Sequence, residues 1–325
     1  MRSLIGILSF CTIVVFIFCL PADLIAQNRP APEGTPISAV VEPNPVENGH
    51  TVLLEIDIRG LGHPAVGLLA KFNGKVIPVF NHPLKEEGIF IALIGISYYS
   101  DPGAKSIKLE WTDSDGYHSM PIEIEVIRGE YKKEKLRVPK KKVSPSVDDR
   151  RRITAQRKEI KAAYAIGHPI RLWEKPFWRP TKGKITSPFG TRRLLNGKLK
   201  SYHNGVDFRA PTGTPIYAVN DGIVRFTKDL FYSGKHVIVD HGLGVYTTYS
   251  HLSKFSVTPD QFVGRGQEIG LAGSTGRSNG PHLHLGAKIN GVTVNPLQLM
   301  QILHPLVDAG APVAAKTVGA EARSE

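Results

Sequence analysis

Between residues 38 and 127 apolar and polar positions alternate in short runs, at 38–42, 51–59, 67–72, 75–80, 89–96, 106–111 and 121–127. A period of two is the pattern of a half-buried strand, because successive side chains leave opposite faces. Turn sequences separate the runs: Asn48-Gly49, Asn73-Gly74, Asp101-Pro102-Gly103 and Asp115-Gly116. Asn-Gly suits a two-residue hairpin turn. About seven strands at this spacing predict an immunoglobulin-like β-sandwich over residues 27–130. The histidines of this region (His50, His63, His82 and His118) fall near turns and read as exposed loop residues. Over 148–166 the composition becomes helix-forming, with Ala155, Ile160, Ala163 and Tyr164 as a partial apolar stripe, and Gly167 and Pro169 end it. Beyond 176 the strand period returns at 214–219, 222–228, 235–240, 245–250, 268–272, 282–289 and 293–294, with no run long enough for a helix between them. The expected fold is all-β: an N-terminal β-sandwich, a helical connector over 131–175, and a mostly antiparallel β-sheet domain over 176–300.

The two ends differ from this pattern. Met1-Arg2-Ser3 is followed by an apolar run from Leu4 to Leu20 and then Pro21-Ala22-Asp23-Leu24-Ile25-Ala26. Residues 1–26 read as a secretory signal cleaved near Ala26, which places the protein in the periplasm or cell envelope. An uncleaved membrane anchor is the alternative, although the run is short against the ~20 residues of a typical span. Both cysteines, Cys11 and Cys19, lie in this segment, so the mature chain has no disulfide and no thiolate for a metal. Residues 301–325 read as a disordered tail.

Charge is concentrated in the connector. Between residues 132 and 161 thirteen Lys/Arg face four Asp/Glu, nine of the chain's twelve net positive charges. Without interleaved aromatics or a nucleic-acid-binding motif, this block predicts no nucleic acid partner. It suits anionic lipid headgroups or wall polymers.

The candidate chemistry lies in the C-terminal region. His282 and His284, in Gly280-Pro281-His282-Leu283-His284, share one face of a predicted strand. His203 and Asp207 also share a face, with Gly205 between them permitting close approach of another group. Zinc takes imidazole nitrogens and carboxylate oxygens, and a catalytic site keeps a position open. His203, Asp207 and one of His282 and His284 make such a set, with His251 as a further imidazole. The glycine-rich stretch 273–280 lacks the Lys-Ser/Thr of a phosphate loop and reads as the turn that delivers His282. His168, His236 and His241 read as turn residues outside the site.

His203-x-x-x-Asp207, Tyr249-Ser250-His251-Leu252 and Gly280-Pro281-His282-Leu283-His284 resemble the lysostaphin-type zinc endopeptidases, which cut peptidoglycan. Ser187-Pro188-Phe189-Gly190 with Arg192, Ala210–Pro215, Asp221-Gly222, Gly266–Gly270, Gly273–Gly276 and Asn295-Pro296 extend the resemblance over about 176–300. It implies a zinc-dependent hydrolase of peptidoglycan peptide cross-links. His203, Asp207 and His284 would be the zinc ligands, with His251 and His282 handling water and transition-state charge. The alternative is a non-catalytic wall-binding or hydrolase-activating module of the same fold, whose mark would be a missing ligand. The connector and β-sandwich precede the groove and could fold back over it.

Overall fold

The computed structural model describes residues 37–197 and 199–307. The signal segment with Cys11, Cys19 and Ala26, and the chain after Val307, lie outside the described residues. The fold is mostly β, as the period of two predicts.

Two sheets of the N-terminal region enclose one apolar cluster. One sheet orders the strands Ser38–Glu42, Thr51–Asp57, Ile89–Gly95 and Phe80–Asn81. The other orders Val46–Glu47, Gly116–Ile127, Gly103–Asp113, Val66–Phe72 and Lys75–Ile77. Alternation sets the faces: Val52, Leu54 and Ile56 are buried in the cluster while Glu55 and Asp57 lean outward. The strand Ile89–Gly95 departs from alternation because it is covered on both faces. Ala92 and Ile94 fill the sandwich cluster, whereas Ile91 and Leu93 pack against Trp173, Val245, Ile289 and Leu299 of the C-terminal region. Hydrogen bonds tie the same boundary. Thr51 N donates to Gln298 Oε1 at 2.9 Å, Gln298 Nε2 donates to Thr51 O at 2.8 Å, and Asn290 Nδ2 donates to Leu93 O at 3.0 Å.

Of the sandwich histidines, only His63 is the exposed loop residue expected. His82 is buried and its Nδ1 accepts from the backbone N–H groups of Leu84 and Lys85. His118 lies in a strand, stacked on Trp111 and bonded to Asp113. His50 is half-buried beside Asn295. Proximity to turns misleads here because short strands place turn-flanking residues over the core edge.

The connector is packed rather than free. Lys133–Leu136 pairs in parallel with Arg192–Leu195, which pairs in turn with Leu199–Tyr202. The helix α1, Val147–Ala165, is capped by Ser146, whose side chain accepts from Asp149 N, with Asp148 and Asp149 in the first turn. Its inward stripe is Ile153, Gln156, Ile160, Ala163 and Tyr164, a 3-4-3-1 spacing; Ala155 is exposed, contrary to the stripe read from composition. Ile160, Ala163 and Tyr164 cover Phe226, Ile238 and Tyr246.

The C-terminal region is built on one antiparallel sheet, ordered Ile185–Ser187, Gly205–Arg209, His282–Ile289, Val245–Leu252, Gly234–Asp240, Gly222–Leu230 and Phe262–Val263, with Val292–Val294 also paired to His282–Ile289. Val245–Leu252 is buried at every position, since α1 lies over one face and the main cluster over the other. A short helix, α2, spans Pro296–Leu303, with Asn295 as N-cap and proline at its start. Residues 301–307, placed in the tail by composition, continue this helix and bury Leu303, Leu306 and Val307.

Candidate metal centre and active site

Strand pairing brings the site together. Gly205–Arg209 runs antiparallel to His282–Ile289, with Asp207 opposite His284 and Arg209 opposite His282. His282 and His284 leave one face of their strand, as the sequence predicts, and that face meets Asp207. His203 stands just before the first strand, fixed by two backbone bonds: Gly190 N to His203 O at 2.8 Å and His203 N to Thr191 O at 2.9 Å. Gly205 must lack a side chain, because a Cβ there would lie 2.3 Å from Leu285 O and 2.7 Å from His284 Nε2.

His203, Asp207 and His284 form the one group among the described residues whose His, Cys, Asp or Glu donor atoms converge as a metal site would need. His203 Nδ1 donates to Pro188 O at 2.9 Å, which leaves Nε2 with its lone pair. That Nε2 lies 2.8 Å from Asp207 Oδ1 and 2.9 Å from His284 Nδ1, while His284 Nδ1 lies 2.8 Å from the same carboxylate oxygen. Three lone-pair atoms this close call for a cation between them, and two imidazoles with one carboxylate are a donor set zinc accepts. Electrostatics agree. Burial pushes the pKa of His203 down, keeping it a neutral ligand. Burial alone would raise Asp207, but the two imidazoles of His203 and His284 beside it outweigh this and hold the carboxyl well below the usual carboxylate range.

His251 reaches the site by an irregularity. His236 stands opposite both Ser250 and His251, because the register steps from Val237–Tyr249 to Lys235–Leu252. His251 has a positive φ of 65°, uncommon outside glycine, and this bulge turns its ring toward His282, with centroids 4.8 Å apart. Its Nδ1 donates to Thr275 O at 2.7 Å, and His282 Nδ1 donates to Gly280 O at 2.8 Å. Both rings therefore keep an unprotonated Nε2, and that of His282 lies 3.7 Å from Asp207 Oδ1. The loop 273–280 supplies these carbonyls, so it orients the histidines as well as delivering His282.

Several partners are not legible in the sequence. Arg193 Nη2 donates to Asp207 Oδ2 at 3.1 Å and to Ser187 Oγ at 2.9 Å, and its Nε is bonded to Glu134 of the connector. The family-like motif draws notice to Arg192; the guanidinium that reaches the carboxylate is its neighbour's. The groove over the cluster encloses about 350 Å³ and is lined by His251, His284, Arg193, Arg277, Tyr232 and Tyr164 of α1, among others. The connector thus forms a wall of the groove. A larger cavity of about 950 Å³ between Tyr98, Tyr99 and Tyr202 lies across Arg193 and holds no metal-binding cluster, so the smaller groove carries the chemistry.

His236 and His241, read as turn residues, are buried. His236 lies within a strand, its Nδ1 2.9 Å from Ser250 Oγ, and His241 Nδ1 donates to Asp221 O at 2.7 Å. His168 lies in the loop after α1 as expected, half-buried. Burial pushes His236 to about 3 and His241 to about 4. In the unfolded chain both titrate near 6.5, so as pH falls from about 6.5 to about 4 the unfolded chain takes up protons that the fold refuses. Stability is expected to fall through that window by up to about 1.4 kcal/mol per pH unit for each histidine. Calorimetric unfolding of the wild type and His241→Gln checks this: the variant should show a shallower decline below pH 6, and parallel curves would contradict it.

Residues 201–296 match peptidase family M23. The peptidoglycan DD-endopeptidase ShyA of Vibrio cholerae is 45% identical over 119 residues, 36% of this chain and 28% of that protein. The DD-carboxypeptidase/endopeptidase Mpg of Neisseria meningitidis is 45% identical over 116 residues, 36% of this chain and 27% of that protein. The chain therefore spans little over a quarter of the length of these curated relatives. A crystal structure of an M23 peptidase-type chain from Pseudomonas aeruginosa superposes with a TM-score of 0.59 at 30% identity, covering 79% of this chain and 96% of that one.

Proposed function

The chain belongs to peptidase family M23, and from that premise we propose that it is an exported zinc endopeptidase that hydrolyses peptide cross-links of bacterial peptidoglycan. The observation that carries this reading is the convergence of three lone pairs, from His203, Asp207 and His284, beneath two imidazoles whose Nε2 atoms are free. The relatives' names, DD-endopeptidase and DD-carboxypeptidase/endopeptidase, support the substrate class. Among the described residues no helix is long and apolar enough to cross a membrane. The strand orders of the N-terminal sheets support an immunoglobulin-like sandwich over 27–130. The divisions at 131–175 and 176–300 belong to the same reading. Arg151, Arg157, Lys158 and Lys161 stay exposed on α1 and suit contact with an anionic wall polymer or lipid surface.

His203 Nε2, Asp207 Oδ1 and His284 Nδ1 would hold the metal. Bound zinc supplies Lewis-acid polarisation of a carbonyl and a more acidic water. Arg193 holds Oδ2 of Asp207, so that the carboxylate would present Oδ1, the atom that faces His203 and His284, to a metal. His282 Nε2 is placed to take a proton, and the nearby Asp207 carboxylate supports the positive charge that results. Once protonated, Nε2 can deliver that proton to the leaving amine. Burial pushes His251 to about 3, so its ring stays neutral in the resting protein. Its free Nε2 offers a second acceptor, so the one proton lost by the attacking water can be taken up by either ring and passed on to the leaving amine. Digestion of purified sacculi tests the reading: cross-linked muropeptides should be converted to monomers, and a chelator should stop the conversion. Intact cross-links in the presence of metal-loaded protein would overturn it.

A further inference from the structure

The groove carries a cation that the metal centre does not use. Arg193, Arg277 and Lys288 line it, and among the described residues no aspartate or glutamate does. Arg193 is engaged by Glu134 and Asp207, and Lys288 Nζ donates to Gly291 O at 3.3 Å and to Thr293 Oγ1 at 3.1 Å. Arg277 is different. It is half-buried in the loop that orients His251 and His282. Its backbone N–H donates to Tyr232 O at 2.7 Å, and its guanidinium lies over the Tyr232 ring with Cζ 4.7 Å from the centroid. Among the described residues its guanidinium has no ion pair and no hydrogen-bond acceptor. Burial and the nearby Arg193 charge work against keeping a cation there.

A guanidinium presents several N–H donors in a planar fork, and leaving them partly desolvated without an acceptor is costly. Its place over the Tyr232 ring holds the guanidinium at the groove wall without using its donors. The loop cannot move freely to water, since Gly276 has φ 77° and its backbone is wedged against Tyr232 O and Gly234 N, where any Cβ would clash. The result is a preset fork, on the wall of the groove that holds the metal cluster, open to a planar anion.

We propose that Arg277 is the docking point for a carboxylate of the substrate, held bidentately beside the scissile bond. This rests on the peptidase reading and narrows it: the favoured substrate is a cross-link peptide with a free carboxylate next to the cleaved bond. A bridge of glycine residues offers no side-chain carboxylate there. Arg277 acts on substrate binding and register, while the histidines handle protons.

The test uses two soluble cross-linked peptide dimers that differ only in whether the carboxylate nearest the scissile bond is free or amidated. Wild type should cleave the free acid with kcat/KM on the order of 10–100-fold higher, mostly through KM, the range of a charge-assisted pair. Arg277→Gln should erase this preference, lowering kcat/KM for the free acid far more than for the amidated dimer, with zinc content unchanged. Arg277→Lys should restore some of it, lacking the planar fork. Wild type cleaving both dimers equally, or Arg277→Gln slowing both by one factor, overturns the proposal. Calorimetric binding of each dimer to metal-free wild type separates this from the peptidase reading. Preferential binding of the free acid, lost in Arg277→Gln, supports the site even if no cleavage occurs; equal binding overturns it even if cleavage does.

Discussion

His284→Ala is expected to lower zinc affinity by at least about 100-fold and to abolish hydrolysis at ordinary zinc concentrations. Changing groups that merely orient a metal ligand costs about 10–100-fold, so losing one of three protein ligands costs no less. The three atoms involved are already within 2.8–2.9 Å of one another, which means that no neighbouring donor can substitute without moving a strand. His284 is also the cleanest of the three positions to change. Its side chain is half-buried, whereas His203→Ala would leave a hole at a fully buried ring and Asp207→Ala would remove an acceptor from Arg193. Metal content after dialysis against a chelator, with thermal unfolding in parallel, reads the effect. Full zinc occupancy in a folded His284→Ala protein would remove it from the ligand set.

The second large effect separates proton handling from metal binding. His282→Ala should keep zinc and lose about 10²–10⁴ in kcat, the usual worth of a proton carrier or a charge-stabilising donor. His251 calls for a different substitution. Its φ of 65° is strained for alanine, whereas asparagine tolerates the left-handed region. His251→Asn should therefore hold the bulge, keep zinc and show a loss of comparable size. The two rings lie 4.8 Å apart and act on one transition state, so the double variant should lose less than the product of the single losses. Zinc leaving with His282 but staying without His284 would exchange their roles.

Much of this is legible in the chain. The period of two marks the strands, and the spacings His203-x-x-x-Asp207 and His282-x-His284 name four of the site residues, because each pair is local. What brings the pairs together is not local. Asp207 faces His284 through a ladder between residues about 80 positions apart in sequence, and no period encodes that register. His251 illustrates a second limit. A regular strand would have turned it from the site, and only the bulge against His236 re-aims it. His236 escapes a reading by alternation because α1 covers the face of the sheet it shares with Phe226 and Ile238, which alternation would leave wet, and His241 is buried instead against Phe177 and Thr247. The run Ile89–Gly95, grouped with the alternating strands, is in fact apolar throughout and buried on both faces, its second contact being the C-terminal region. A signal for α2 is also present, in Asn295 followed by Pro296.

Lys133–Leu136 completes a sheet with Arg192–Leu195, Glu134 holds Arg193, and Tyr164 lines the groove. The connector forms a wall of the site.

The central claim is tested most directly by titrating zinc into metal-free protein while following hydrolysis of a soluble cross-linked muropeptide dimer. The rate should rise in proportion to zinc and level off at about one ion per chain, the stoichiometry of a single three-ligand catalytic site, with His284→Ala silent throughout. Zinc binding at that stoichiometry without cleavage, or cleavage that persists without metal, would contradict it.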